Sequence, residues 1–225
     1  MKFIKKNPIN EPADVIEKRN TPGSTFDDLP KKSLREALLK EQGFICGYCM
    51  QRIYNDGNVT KIEHWEPRNS ANEKKYMNLL AVCSGNFRWS DKDRLGKEIS
   101  KFIEHCDTLK KDRPITISPL KKNCETLVKF DPGGQIYSED TTVDQELSEI
   151  LGLKLQHLVD ERKRLIDSLK KEIENNSKNN PDKKAKIAFL RNMLKKWSLP
   201  NKDKYEPFCQ VAISYINKKI ARLSQ

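Results

Sequence analysis

Cysteines at 46, 49, 83, 106, 124 and 209 are the residues of this 225-residue chain whose chemistry is easiest to read. Two form Cys46-Gly47-Tyr48-Cys49, a spacing that lets both sulfurs turn onto one tetrahedral metal ion. A redox pair has the same spacing, but it opens a helix after a strand. Here the motif follows the helix-like KKSLREALLKEQG and precedes the strand-like QRIY, so zinc is the better reading. Cys83 and Cys106 can close the tetrahedron with Cys46 and Cys49. Such a staple supplies folding energy that a small apolar core cannot. Interleaved with these thiols are Ile62-Glu63-His64-Trp65, the pair Asn78-Leu79, and His105-Cys106-Asp107-Thr108-Leu109-Lys110. The single thiols Cys124 and Cys209 read as buried rather than reactive. His157 reads as structural, and Trp65, Trp89 and Trp197 as core or interface residues rather than base-stacking platforms.

The elements that must position these groups point to an α+β fold with a small core. Charged residues make up 33% and hydrophobic ones 36% of the chain, too little apolar material for a large barrel or doubly wound sheet. Residues 1–30 carry prolines at 8, 12, 22 and 30 and are expected to form an extended N-terminal arm. Lys31 to Gln42 reads as a helix, with Leu34, Leu38 and Leu39 at helical spacing and Gly43 as its stop. A hairpin is expected from Arg52–Tyr54 and Val59–Trp65 around Asn55-Asp56-Gly57-Asn58. Residues 84–104 look like a charged, partly helical insertion. The segment 114–137 holds strand-like ITISPL and LVKF with a turn at Asp131-Pro132-Gly133-Gly134.

From Val143 the pattern becomes helical. One apolar stripe runs through Leu151, Leu155, Leu158, Leu165, Leu169 and Ile173. The polar stretch NNSKNNPD reads as a linker to a second stripe (Ile187, Leu190, Leu194, Trp197) and a third (Phe208, Val211, Tyr215, Ile216, Ile220, Leu223). The expected division is therefore an arm at 1–30, a core at 31–142 and a basic helical region at 143–225. The net charge of +11 is concentrated in the last part: residues 1–153 hold 25 Lys+Arg against 24 Asp+Glu, and residues 154–225 hold 18 against 8. A phosphate polyanion suits such a surface, as does a merely solvated basic face. No run approaches the roughly 20 apolar residues of a membrane helix, and the start has no apolar stretch fit for a signal peptide. A cytoplasmic location and no membrane partner are expected.

The stretch from Cys46 to Lys110 resembles the HNH endonuclease family. The Cys-Gly-Tyr-Cys opening, Ile-Glu-His-Trp-Glu-Pro, Asn-Leu-Leu-Ala-Val-Cys and His-Cys-Asp-Thr-x-Lys narrow the resemblance. They look like the PtuB-like HNH component of Septu and retron-associated antiphage defence systems. The likeness extends to Ser118-Pro119-Leu120, Cys124-Glu125 and Tyr205-Glu206-Pro207-Phe208-Cys209. It implies a ββα-metal core stapled by structural Zn2+ on Cys46, Cys49, Cys83 and Cys106. It also implies Glu63 and Asp107 as ligands of a catalytic Mg2+ or Mn2+, His64 as general base, and Asn78 as the residue holding the loop. It implies a DNA substrate, with RNA as an alternative, and a partner ATPase of the ABC or SMC-like type. Two departures stand out. Cys83-Ser84-Gly85-Asn86 lacks the usual second knuckle cysteine, with 22 residues intervening before Cys106. The third motif position is Asp107, with His105 as its rival.

The implied chemistry is coherent. Phosphodiester hydrolysis needs a water deprotonated near neutral pH, and an imidazole with a pKa of about 6.5 suits that task. It needs charge neutralised at the phosphate and the leaving 3′ oxygen, which a hard cation on carboxylates supplies. Adjacent residues of a regular strand point to opposite faces, so Glu63 and His64 meet one phosphate only if the backbone bends near Pro67. The competing reading is a non-catalytic zinc module of a nucleic-acid-binding or adaptor protein, which has no need of Glu63, His64, Asn78 and Asp107 together.

Overall fold

Prolines and one glycine set the first boundaries of the fold. The computed structural model describes residues 1–92, 98–179 and 182–225. Residues 1–30 depart from the expected extended arm: they hold helix α1 (Ala13–Asn20) and single turns at Pro8–Asn10 and Phe26–Asp28. Ile4, Val15, Phe26 and Leu29 are buried. The prolines that suggest extension start elements instead. Pro8 opens the first turn, Pro12 caps α1, and Pro30 caps α2, because a fixed φ and a missing N–H cost nothing at a helix start. Helix α2 (Lys31–Gln42) has the expected bounds. Leu34, Leu38 and Leu39 are buried, and Gly43 ends it at φ 61°.

Strand β1 (Thr60–His64) pairs antiparallel with β2 (Leu79–Cys83), in a register running from Thr60↔Cys83 to His64↔Leu79. This corrects the expected hairpin. Arg52 makes an isolated bridge to Ile45. Every residue of β2 is buried, and a strand covered on both faces shows no alternation to read. Gln42, at the end of α2, holds it: its side-chain amide donates to Ala81 O (2.7 Å) and its carbonyl accepts from Ala81 N–H (2.7 Å).

Residues 84–104 are a second correction, since they contain strands where a partly helical insertion was expected. Strands β3 (Asn86–Lys92) and β4 (Glu98–Glu104) pair antiparallel; residues 93–97 and the side chain of Trp89 lie outside the described residues. The chain then enters the short helix α3 (Cys106–Lys110). Helix α4 (Cys124–Leu127) leads to β5 (Lys129–Phe130), which pairs with β6 (Ile136–Tyr137) across the expected turn. ITISPL forms no strand. The N–H groups of Thr116 and Ile117 donate instead to the Glu146 carboxylate at 2.7 and 2.9 Å.

The rest is helical: α5 (Thr141–Gln145), a π turn at Glu146–Ile150, then α6 (Gln156–Asn179), α7 (Lys183–Ser198) and α8 (Cys209–Ser224). Helix α6 runs through most of the expected polar linker; residues 180 and 181 lie outside the described residues. One buried cluster draws on all three expected segments, from Val15 through Leu38, Tyr48, Leu80 and Phe130 to Leu158, Phe208 and Val211. A smaller one (Leu169, Leu190, Met193, Ala212, Ile216) fills the α6–α8 bundle. Among the described residues no helix is long and apolar enough to cross a membrane.

Gly43 tests how the chain's two ends are joined. Its carbonyl accepts from Tyr205 N–H at 3.0 Å, and a Cβ there would lie 2.3 Å from Tyr205 Cδ2 at a left-handed φ. Gly43→Ala is expected to destabilise the protein by about 2 kcal/mol or more, from backbone strain and the clash together. A urea midpoint equal to that of the parent protein would contradict this.

Candidate metal centre and acidic pair

The Cys46–Cys49 knuckle is shaped by local hydrogen bonds. Met50, at φ 65°, donates its N–H to Cys46 O, and Cys46 N–H donates to Gln51 O. Gly47 N–H reaches Ala81 O at 3.1 Å and ties the knuckle to β2, whose last residue is Cys83. Cys106 opens α3 and donates its N–H to Leu151 O. The four sulfurs converge, all within 4.8 Å of one another. Cys46 Sγ lies 3.9 Å from Cys106 Sγ, and Cys49 Sγ 3.7 Å from Cys83 Sγ. A tetrahedron with zinc–sulfur bonds of about 2.3 Å has edges of about 3.8 Å, so the four cysteines could hold an ion such as zinc. Burial pushes the Cys49 and Cys106 thiols well up, while neighbouring sulfurs pull Cys83 down. Four thiols this buried become thiolates together only with a cation among them.

His105 belongs to this centre by position. Its Nδ1 lies 3.2 Å from Cys106 Sγ and 3.9 Å from Cys83 Sγ, and its ring packs against that of His157 at 5.2 Å. Burial, and then His105, lower the pKa of His157 to about 4, so both the pairing and the neutral ring fit its expected structural role. Asp107 faces the other way. Its carboxyl sits beside that of Glu63 and pairs with Lys61 Nζ at 3.4 Å. Lys61 also donates to Thr108 Oγ1 at 2.6 Å.

Glu63 and Lys61 share the face of β1 that looks onto α3, as residues two apart should. Glu63 Oε1 accepts from Tyr48 Oη at 2.9 Å and from Lys110 Nζ at 2.8 Å. Both Glu63 and Lys110 are buried. Burial and then Asp107 push the Glu63 carboxyl up to about 8, against the downward pull of Lys110. Two carboxyls this close share a proton or need a cation. Tyr48 was not singled out in the sequence beyond its place in the knuckle. A hydroxyl between the two cysteines of the knuckle was the available signal.

His64 leaves β1 on the opposite face. Its Nε2 lies 2.8 Å from Glu73 O, and a carbonyl only accepts, so Nε2 carries the proton and Nδ1 keeps its lone pair. Phe26 meets the ring edge-on at 4.5 Å. Burial lowers the His64 pKa against the hydrogen bond to Glu73 O, which raises it, with Arg68 and Lys31 adding to the lowering. Asn78 fixes the turn just beyond. Its Oδ1 accepts from Glu66 N–H (2.8 Å), its Nδ2 donates to Glu66 O (3.1 Å), and its own carbonyl accepts from Trp65 N–H (3.0 Å). Trp65 itself donates Nε1–H to Ile117 O and packs on the core. Glu63 and Asp107 are thus brought together, Asn78 clamps the strand end, and the His64 ring has separate partners. Cys124 and Cys209 are buried, both with raised pKa values of about 11 from burial.

Two outcomes follow. Replacing Cys106 with Ser is expected to remove metal and soluble protein together, because structural zinc contributes on the order of 10 kcal/mol to folding; elemental analysis finding no zinc in folded parent protein would refute the assignment. The second concerns pH. With a folded pKa of about 8 above an ordinary unfolded value of about 4.3, Glu63 holds its proton longer when folded. Its contribution is complete at low pH and is lost as pH rises towards 8, by up to a few kcal/mol. Urea unfolding between pH 6 and 8, without added divalent ions, should show this fall, and Glu63→Gln should flatten it.

No family model matches the chain, and no curated protein matches it.

Proposed function

We propose that the protein is a metal-dependent endonuclease of the HNH type, cleaving DNA phosphodiester bonds as the nuclease of a defence complex with an ATPase. The carrying observation is that the carboxyls of Glu63 on β1 and Asp107 on α3 meet beside a four-cysteine centre, with a carbonyl-anchored His64 next to Glu63 at the end of the strand. A zinc module needs only the cysteines.

Each residue has a task in this reading. Glu63 and Asp107 supply two oxygen donors for a hard divalent ion, whose other positions water and phosphate would fill; bound there, it supplies charge neutralisation at the phosphate and the leaving oxygen. Nδ1 of His64 takes the proton of the attacking water, while Glu73 O fixes the ring and its tautomer. Asn78 sets the path of Trp65 and Glu66 beyond the strand and so the angle at which His64 is presented. Tyr48 and Lys110 orient Glu63. That His105 faces sulfur while Asp107 faces Glu63 supports Asp107 rather than His105 at the third motif position. The partner ATPase, the defence role and the choice of DNA over RNA rest on the family resemblance.

One observation favours a second reading. Lys61 and Lys110 already pair with Asp107 and Glu63, so the carboxyls can also serve as a closed structural cluster in a non-catalytic zinc module. The two readings separate on incubation of the purified protein, alone and with a co-encoded ATPase, with DNA and RNA plus Mg2+ or Mn2+. The nuclease reading expects cleavage that His64→Ala reduces at least about 100-fold, with fold and zinc content kept. It expects Asp107→Ala to harm activity and divalent-ion affinity more than His105→Ala, whose loss should appear in zinc retention. Cleavage unaffected by His64→Ala, or no cleavage of either nucleic acid under all these conditions, favours the zinc module.

A further inference from the structure

Helices α6, α7 and α8 form a small bundle with its own core, and that core is open at one side. Ile173 from α6, Leu190 from α7 and Leu223 from α8 line a groove of about 550 Å3. Four cations stand around it: Lys178, Lys186, Lys219 and Arg222. Its acid, Glu174, lies 4.0 Å from Lys170 on its own helix. Among the described residues none of the four cations is in an ion pair; Lys219 lies 5.4 Å over the Tyr215 ring. An apolar floor edged by four cations and a single acid is a specific combination.

We propose that this groove docks an amphipathic helix of a partner protein whose apolar face is flanked by acidic residues. The floor takes side chains spaced three and four apart, as in helix-in-groove recognition, and the four cations select carboxylates along its edges. Other occupants fit less well. A second copy of the chain would bring 18 Lys+Arg against 8 Asp+Glu in the same region and be repelled. A nucleic-acid backbone would satisfy the cations but leave the apolar floor without a partner. The groove lies in the helical bundle rather than at Glu63 and His64, so the inference does not depend on the nuclease reading.

The test uses the full chain and a synthetic 18-residue helix with leucines on one face and glutamates beside them. Its partner probe carries lysines in place of the glutamates. Fluorescence anisotropy is expected to show saturable binding of the acidic helix and none of the basic one. The triple variant K186E/K219E/R222E should bind the acidic helix at least about tenfold more weakly and gain affinity for the basic helix. Leu223→Asp, a substitution in the apolar floor, should weaken binding of the acidic helix without reversing the charge preference. Circular dichroism and zinc content check that each variant folds. Equal affinity of parent and triple variant for the acidic helix would overturn the proposal, as would absence of binding at millimolar peptide. So would displacement of the peptide by anionic phosphatidylglycerol vesicles or by duplex DNA with the same dependence on these residues, since the groove would then serve a membrane or a polyanion.

Discussion

Four sulfurs gathered within 4.8 Å of one another from three separate parts of the chain are the constraint on which the rest of this fold turns. Cys46 and Cys49 come from a turn after α2, Cys83 from the end of β2, and Cys106 from the start of α3. The first two meet by local spacing. The last two are separated by 22 residues and meet because the β3–β4 hairpin brings its own ends together: Asn86 pairs with Glu104, and His105 N–H donates to Gly85 O at 2.7 Å. Gly85 makes the approach possible, since a Cβ there would lie 2.2 Å from His105 O. Closing a loop of this length costs little more than closing a short one, so a hairpin can replace a compact second knuckle. The residue that seemed missing after Cys83 is supplied through space.

That closure also places the acidic pair. Once Cys106 is fixed, Asp107 and Lys110 of α3 have little freedom against β1, where Lys61 and Glu63 meet them. Cys106 adopts φ 53°, an uncommon conformation for a residue with a Cβ, and a metal bond and the hydrogen bond to Leu151 O together can hold it there. Thiol centre and carboxyl pair are thus mechanically linked, with His105 on the sulfur side and Asp107 on the carboxyl side of one short helix. A shift of the thiol centre would be felt at Glu63 through α3, whose Asp107 and Lys110 meet it.

Local signals carried the parts of this arrangement that could be read from sequence. The bounds of α2 followed from leucine spacing and a glycine at its end. The grouping of the four cysteines followed from the geometry of thiolate metal sites, whereas the preference for Asp107 over His105 came from the register of the HNH resemblance. What escaped reading depends on partners distant in the chain. Leu79-Leu80-Ala81-Val82-Cys83 is apolar throughout because it is covered on both sides, so its pairing with β1 left no alternating pattern and the nearer Arg52–Tyr54 looked the better partner. Gln42 gives no sign in sequence that its amide grips both backbone groups of Ala81. The prolines of residues 1–30 suggested extension because a proline that breaks a helix and one that begins a helix look alike until the following residues find a surface to bury.

The divergence of Glu63 and His64 has a consequence for any ligand of this site. Neighbours on a regular strand face opposite ways, and the observed partners follow that rule: Tyr48, Lys110 and Asp107 for Glu63, but Glu73 and Phe26 for His64. A phosphate served by both residues therefore cannot lie flat on either face of β1. The two faces meet at the strand end, where the backbone turns into Trp65 and Glu66. Asn78 is the residue that makes this end rigid, with hydrogen bonds to both backbone groups of Glu66 and one from Trp65. An amide is suited to the task because it donates and accepts at once; an aspartate there would lose the bond to Glu66 O, and an alanine would lose both side-chain bonds. The angle between acidic pair and imidazole is thus set by a residue that belongs to neither.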